Sequence, residues 1–525
     1  MPVVSTFGPR PTTPGRAEAP LRLRRPVAAA VLALTVIRAI AAAVSRAVAA
    51  SKPDGPGPRP TLLVPVENQV RELDAKLLFS LVAAERGYRV LLGARATLHL
   101  EAARLPRGVY VAKSVRALST RMFRIYRGLG SEIVSWDEES LVRHPNPGFW
   151  YRRRIAKQAL DCVRAFFAWG EADAEAVRAF PEGCTPPVYP TGNPRLDLTR
   201  RELRGFFASE TDAHRKRHGD FILVNTNFGL VNHYVDSLSG VVPLPPGRHS
   251  ASERAIGEGL VAYRTEMFER FQTMVPAIAK AFPDHTIVVR PHPVEKHAAW
   301  EPIAAQHPNL VVEQKGNVLP WLLAARALVH NGCTTGVEAY ALGVPAIAYE
   351  PIPNQGFDSE LPNALSRRVH RLDELEREIA SVLRGEASDG DAGRADLAAH
   401  HMASLDGPFA CDRIVDVLDG FYATGTRLSQ PGLPRHLAAW IQCEARAAYK
   451  RLRALVPGNR NSADYQRHRF PGVGLDSLRA SAARFAALLG RFQGVEIAQL
   501  ADDVFAVAAA VTPPRRPLGR AVYPP

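Results

Sequence analysis

The stretch His330–Pro345, HNGCTTGVEAYALGVP, decides the reading of this chain. It follows a short apolar strand, ALVH (327–330), and leads into another, PAIAYE (345–350). Between them lie a turn at Asn331 and Gly332, a helix, and a stop at Gly343. A strand, a glycine turn and a helix in that order place the helix N-terminus at the carboxyl end of a parallel strand, where free N–H groups and the helix dipole attract an anion. Asn331 and Gly332 permit the tight turn, and Thr334 or Thr335 is expected to cap the helix. Glu338, in the first turns, has two readings: a carboxylate that accepts from a ribose diol, or an acid that only complements the dipole.

Upstream, the strand HTIVVR (285–290) ends in RPHP (290–293), which brings the cation of Arg290 and the imidazole of His292 to the same edge on a proline-stiffened turn. Both are expected to contact phosphate; the plainer alternative for His292 is a solvated loop histidine. The same sheet collects DFILVN (220–225), a long helix near 259–282, NLVVEQ (309–314) and a helix at 318–326. An earlier series begins with TLLVPV (61–66), a helix from Arg71 to Arg86, YRVLL (88–92), VYVAKS (109–114), a basic helix near 116–128, SEIVSWD (131–137) and Arg164–Trp169. Strands alternating with helices predict parallel α/β sheets, and two such series predict two domains with a ligand cleft between the carboxyl ends of their strands. The expected division is a Pro/Ala-rich N-terminal extension (1–58), an acceptor domain (59–215), a nucleotide domain (216–425) and a helical basic extension (426–525).

Acceptor chemistry then falls to the first domain. Glu67 ends the first strand, Asp74 lies in the helix after it, and Asp137 ends the strand SEIVSWD; these three are the candidate bases, Glu67 foremost. Glu72 is read as complementing the helix N-terminus. In TGNPRLD (191–197) a turn carries Arg195 and Asp197, whose expected task is to tie the domains together.

The net charge of +14 is unevenly placed. Residues 1–60 hold nine Lys/Arg against two acids, residues 421–525 hold fifteen against six, and residues 61–420 are left with 42 against 44. A neutral body with basic flanks argues against a nucleic-acid enzyme and for adhesion to an anionic membrane surface. The apolar run within 27–50 is broken by Arg38 and Arg46, too short to span a bilayer, and reads as an Ala-rich interfacial helix or a disordered extension. Five scattered cysteines without CxxC spacing fit a reducing cytoplasm. No DxD-like pair follows a strand; Asp502 and Asp503 are assigned to a C-terminal helix, so neither metal nor cofactor is expected.

The turn, helix, Glu338, Gly343 and Pro345 order is similar to the nucleotide-binding motif of GT-B glycosyltransferases, including the enzyme that adds N-acetylglucosamine to the peptidoglycan lipid intermediate; there Glu338 matches the ribose-binding acid. RPHP resembles a strand end of sialyl-, Kdo- and glycerophosphate-transferring enzymes, and TGNPRLD a turn of glycerophosphate polymerases. In order, PVENQVRELDAKLL, LPRGVYVAKS, TGNPRLD, VNTNFG, RPHP and HNGCTTGVEA resemble the bacterial surface carbohydrate biosynthesis proteins. The resemblance implies a GT-B-like fold of two doubly wound Rossmann-like domains. It also implies a cytoplasmic, membrane-peripheral glycosyltransferase using a nucleotide-activated sugar donor and a glycan or lipid-linked acceptor, as in capsule assembly. Three rivals stand beside it: a polyol-phosphate transferase using a CDP-alcohol, a non-hydrolysing UDP-sugar 2-epimerase, and an inactive scaffold. The His-Val-Glu-Ala-Gly segment of such epimerases has no counterpart here.

Overall fold

Six short strands alternate with helices in the first part of the chain: β1 (Thr61–Val66), β2 (Val90–Ala94), β3 (Gly108–Ala112), β4 (Glu132–Trp136), β5 (Ala165–Phe167) and β6 (Val188–Tyr189). Six more follow: β7 (Phe221–Asn225), β8 (Thr286–Arg290), β9 (Leu310–Val312), β10 (Ala327–His330), β11 (Ala346–Tyr349) and β12 (Arg367–Val369). The structure, a computed structural model, describes residues 59–242, 250–386, 392–423, 428–456 and 459–510. The Ala-rich segment within 27–50, and all of 1–58, lie outside the described residues.

Each series forms its own parallel sheet. In the second, the order is β12-β11-β10-β7-β8-β9, with Val224 beside both Val289 and Val329. The strand order reverses between β7 and β10, so the loops leaving these two strands part and open a crevice. Every residue of β7 (FILVN) is buried, as a parallel strand covered by helices on both faces requires. In the first sheet β1 pairs with β2 and β3, and the order continues through β4 and β5 to β6.

After β12 the chain returns to the first lobe. Cys411, Ile414, Val415 and Leu418 of helix Ala410–Phe421 share a core with Leu77, Leu78 and Leu81 of helix Gln69–Glu85. Asp197 accepts the N–H groups of Ala410 (2.7 Å) and Cys411 (2.9 Å), supplying the helix start with its cap. The tie predicted for Asp197 is therefore made to the returning chain. Arg195 reaches the second lobe, as described below.

The C-terminal extension differs from its helical expectation. It has helices Leu433–Ala454, Ala463–Arg469 and Leu475–Leu489, then a hairpin, β13 (Val495–Ala501) and β14 (Val504–Ala509), whose second strand pairs antiparallel with β2. Asp502 and Asp503 form its turn, with Asp503 at φ 57°, so they are not helical. Alanine-rich composition favours helix locally, but the unpaired edge of β2 offers a row of hydrogen bonds that a strand alone can use.

Candidate active site

A cavity of about 500 Å³ lies between the lobes at the carboxyl ends of their strands. The second lobe contributes the loop after β7 (Asn225–Asn227), Arg290 and His292 after β8, and Gly332–Thr335 after β10. These are the strand ends that flank the reversal of strand order. The first lobe contributes Arg71, the loop after β4 with Glu139 and Arg143, Arg153 and Arg154 from helix Pro147–Arg154, and Arg195.

At the turn after β10, Gly332 sits at φ 57°, where a side chain is strained, and a Cβ there would meet Ser359 at 3.1 Å. Gly336 lets helix Thr334–Leu342 lie on its strand, since a Cβ would come within 2.6 Å of the His330 ring. The helix begins at Thr334 with Cys333 at the cap position and no side-chain cap bond, so the capping expected of Thr334 or Thr335 is not made. Both threonines instead line the cavity with the helix N-terminus. Asn331 is buried and accepts from Arg264 Nη1 at 2.8 Å.

Arg290 donates to the Gly316 carbonyl at 2.8 Å, and its Nε is buried without a partner. Burial pushes its proton affinity down to about 10. His292 is held neutral, pushed down to about 3 by burial and by Arg71. Its Nδ1 accepts the Val294 N–H at 3.3 Å, which leaves Nε2 as the protonated nitrogen, a donor. Glu295, which the sequence reading passed over, organises this corner. Its Oε1 accepts from Thr226 Oγ1 (2.8 Å), Phe228 N (2.9 Å) and His292 N (3.0 Å), binding the loops after β7 and β8 together.

Glu338 lines the cavity, but its Oε1 accepts from Arg195 Nη2 at 2.6 Å, across the lobes. The carboxylate read as a ribose acceptor is thus also half of a buried interlobe ion pair, the tie expected of TGNPRLD.

The three candidate bases are not brought together, and none of them lines the cavity. Glu67 stands among Lys113 (2.7 Å), Arg95 (2.7 Å) and Arg469. Burial alone would raise its pKa, but these cations hold it down to about 2, too low for a base near neutral pH. Asp137 is buried and paired with Arg154, which also binds Glu139 at 2.9 Å; burial raises its pKa against that pairing. Asp74 accepts from Asn317 Nδ2 (3.3 Å) on the opposite lobe, and burial pushes it up to about 6. Glu72 does more than complement its helix. It accepts the Glu67 N–H and pairs with Lys76 (2.7 Å) and Lys113 (3.1 Å) in a buried network under β1 and β3.

What the sequence reading missed is the number of arginines. Arg71, Arg143, Arg153, Arg154, Arg195, Arg264 and Arg290 line the cavity against two acids, Glu139 and Glu338, each already paired. Burial, with Arg116 and Arg154 nearby, pushes Arg153 down to about 10, and its Nε is buried unpartnered. Among the described residues, seven guanidinium groups against two carboxylates leave the cavity short of negative charge, an arrangement that favours an anionic ligand. The available signal was the run Arg152–Arg154 inside an otherwise neutral body.

Two doubly wound α/β lobes closing on such a cleft define the GT-B class of fold. No family model and no curated protein matches the chain. Among solved structures, it is similar to the wall teichoic acid polymerase TagF, with 10% identity over 76% of this chain and 97% of that one at a TM-score of 0.42. It is also similar to the UDP-GlcNAc 2-epimerase of Methanocaldococcus jannaschii in complex with UDP-GlcNAc and UDP (12%, 69% and 99%, TM-score 0.41). The Neisseria meningitidis enzyme bound to UDP-GlcNAc aligns comparably (10%, 68% and 99%, TM-score 0.43). At such identities and scores the chemistry rests on this chain's own side chains.

Proposed function

We propose that this chain is a glycosyltransferase that takes a nucleotide-activated sugar in the interlobe cleft and passes the sugar to a surface polysaccharide or lipid-linked glycan. The carrying observation is the anion-deficient cavity at the strand-order reversal of the second lobe, where a helix N-terminus and buried arginines converge. The donor diphosphate lies against the N-terminus at Thr334 and Thr335 and against Arg290, with the His292 Nε2–H donating to it. Glu338 takes the ribose with the oxygen that Arg195 leaves open. As the bond to the sugar breaks, the fixed guanidinium groups stabilise the charge gathering on the departing phosphate, the work that preorganised charge does best in a dry site.

For the acceptor hydroxyl we assign Glu139 as the group that orients it by accepting its hydrogen bond, not as its base, because Arg154, Lys113 and Arg71 hold this carboxylate well below the usual range. It is the one first-lobe carboxylate on the cavity wall, two residues beyond the predicted Asp137. The hydroxyl's proton leaves to the departing phosphate. Because arginines supply the positive charge, turnover is expected to survive excess chelator; loss of activity, restored by a divalent ion, refutes metal independence.

Calorimetric titration with CMP, CDP, UMP, UDP and GDP tests the donor site. One nucleotide is expected to bind at micromolar strength, and Arg290→Ala to weaken it at least tenfold, about 1.4 kcal/mol or more for a charged hydrogen bond to phosphate. Absence of binding by all five overturns the reading. Glu139→Ala is expected to raise the acceptor KM about tenfold with the nucleotide Kd within threefold of the parent; an unchanged acceptor KM removes Glu139 from the role.

A further inference from the structure

Helix Leu433–Ala454 packs on helix Thr120–Gly128 through Ala439, Trp440, Cys443 and Ala447, which are buried. Its opposite face is apolar as well. Ile441, Tyr449, Leu452, and Leu455 and Val456 at the helix exit, are 46–70% exposed, with exposed Ala438, Ala445 and Ala448 between them. At 100° per residue these positions fall in one stripe about 120° wide and about 27 Å long. Leu118, 73% exposed, sits in the turn Ala117–Ser119 that leads into the neighbouring helix. Single exposed leucines are ordinary on a protein surface, whereas a continuous stripe of this length marks a contact.

The borders of the stripe are basic. Arg453 and Arg451, both exposed, flank it on either side of its own helix, and exposed Arg121 stands on the adjacent one. The acids within reach are already engaged: Glu444 with Arg104 (3.4 Å), and Glu101 with Arg104 (3.0 Å) and Arg451 (3.1 Å). Lys450 is pushed down to about 8 chiefly by its burial, then by Arg446 and Arg95, with Glu67 acting the other way. A second copy meeting this face about a two-fold axis would bring arginine against arginine. A sheet of lipid phosphates with acyl chains below it matches both the cations and the apolar stripe.

We infer that helix Leu433–Ala454 lies flat on an anionic phospholipid surface, with the Ile441–Val456 stripe and Leu118 in the interface and the flanking arginines on lipid phosphates. The purpose of this docking rests on the proposed transfer to a lipid-linked acceptor. Lys450 stands within electrostatic reach of Arg95 and Glu67 at the end of β1, so the surface adjoins the carboxyl edge of the first lobe, where that acceptor enters.

The test is sedimentation of the full-length protein, without nucleotide, with phosphatidylcholine vesicles that contain or lack phosphatidylglycerol. Binding is expected only to the anionic vesicles. Leu452→Glu with Leu455→Glu, and separately Arg451→Glu with Arg453→Glu, are each expected to lower it about tenfold or more, with unchanged elution volume and unchanged nucleotide binding. Parental binding by both variants places the membrane contact elsewhere in the chain and overturns the inference, as does binding indifferent to phosphatidylglycerol. A dimer that the leucine pair dissolves assigns the stripe to a second copy, which also overturns it. The vesicle assay needs no donor, so a failed nucleotide titration ends the transferase reading and leaves this result intact, and the converse holds.

Discussion

Glu67 illustrates what a side chain's surroundings do to its chemistry. Its place at the end of β1 suits a base, yet Lys113, Arg95 and Arg469 fix it as a permanent anion. Its pKa of about 2 lies below the unfolded value, so it stabilises the fold above that value and loses the contribution as pH falls toward 2. Glu67→Gln is accordingly expected to cost about 2 kcal/mol of unfolding free energy at pH 7, measured by urea denaturation, with the deficit shrinking below about pH 4. A deficit independent of pH contradicts the ion-pair account. Asp74 behaves in the opposite sense. Its pKa of about 6 is raised above the unfolded value, so its ionisation costs stability progressively as pH rises through about 4 to 6. Asp74→Asn, which keeps an acceptor for Asn317, is expected to stabilise the protein more at pH 8 than at pH 5, by about 1 kcal/mol. Equal effects at both pH values refute it. The residue types of the site were legible from sequence. Their roles were not, because a carboxylate's proton affinity depends on cations brought from as far along the chain as Arg469.

At the scale of elements, helix Thr334–Leu342 is the part of the site that local sequence specified best. Turn, helix and stop fall where HNGCTTGVEAYALGVP places them, because glycine, proline and apolar spacing act within a few residues. Its seat on β10 depends on Gly336. Gly336→Ala is expected to destabilise the fold by about 1–3 kcal/mol, read as a lowered melting temperature, and to weaken nucleotide binding by displacing the helix N-terminus. A variant with unchanged melting and unchanged affinity shows that the helix tolerates the Cβ. The hairpin β13–β14 is the element that local reasoning lost, since its partner β2 lies some 400 residues earlier and no local signal announces it.

For the whole molecule, the Arg195–Glu338 pair at 2.6 Å joins the two lobes beside the cavity. Removing one partner leaves a buried charge alone. Arg195→Ala and Glu338→Ala are therefore each expected to destabilise by about 3 kcal/mol, and the double variant by less than the sum. Strict additivity in thermal or denaturant unfolding shows that the pair contributes nothing jointly. Among the described residues no helix is long and apolar enough to cross a membrane.

By itself the sequence determined two α/β series, the strand ends that line the cleft, and the glycine turn and helix start of the second lobe. Periodicity and turn chemistry are local, and they survive without knowledge of the rest of the chain. Tertiary structure alone decided that the C-terminal segment completes the first lobe and that five arginines from separate segments, Arg71, Arg143, Arg153, Arg154 and Arg264, share one cavity. It also decided that Glu67 is locked among cations while Glu139 reaches the cavity wall. The physical reason is that charge acts through space and burial, and both depend on which distant segments the fold brings within a few ångströms of each other.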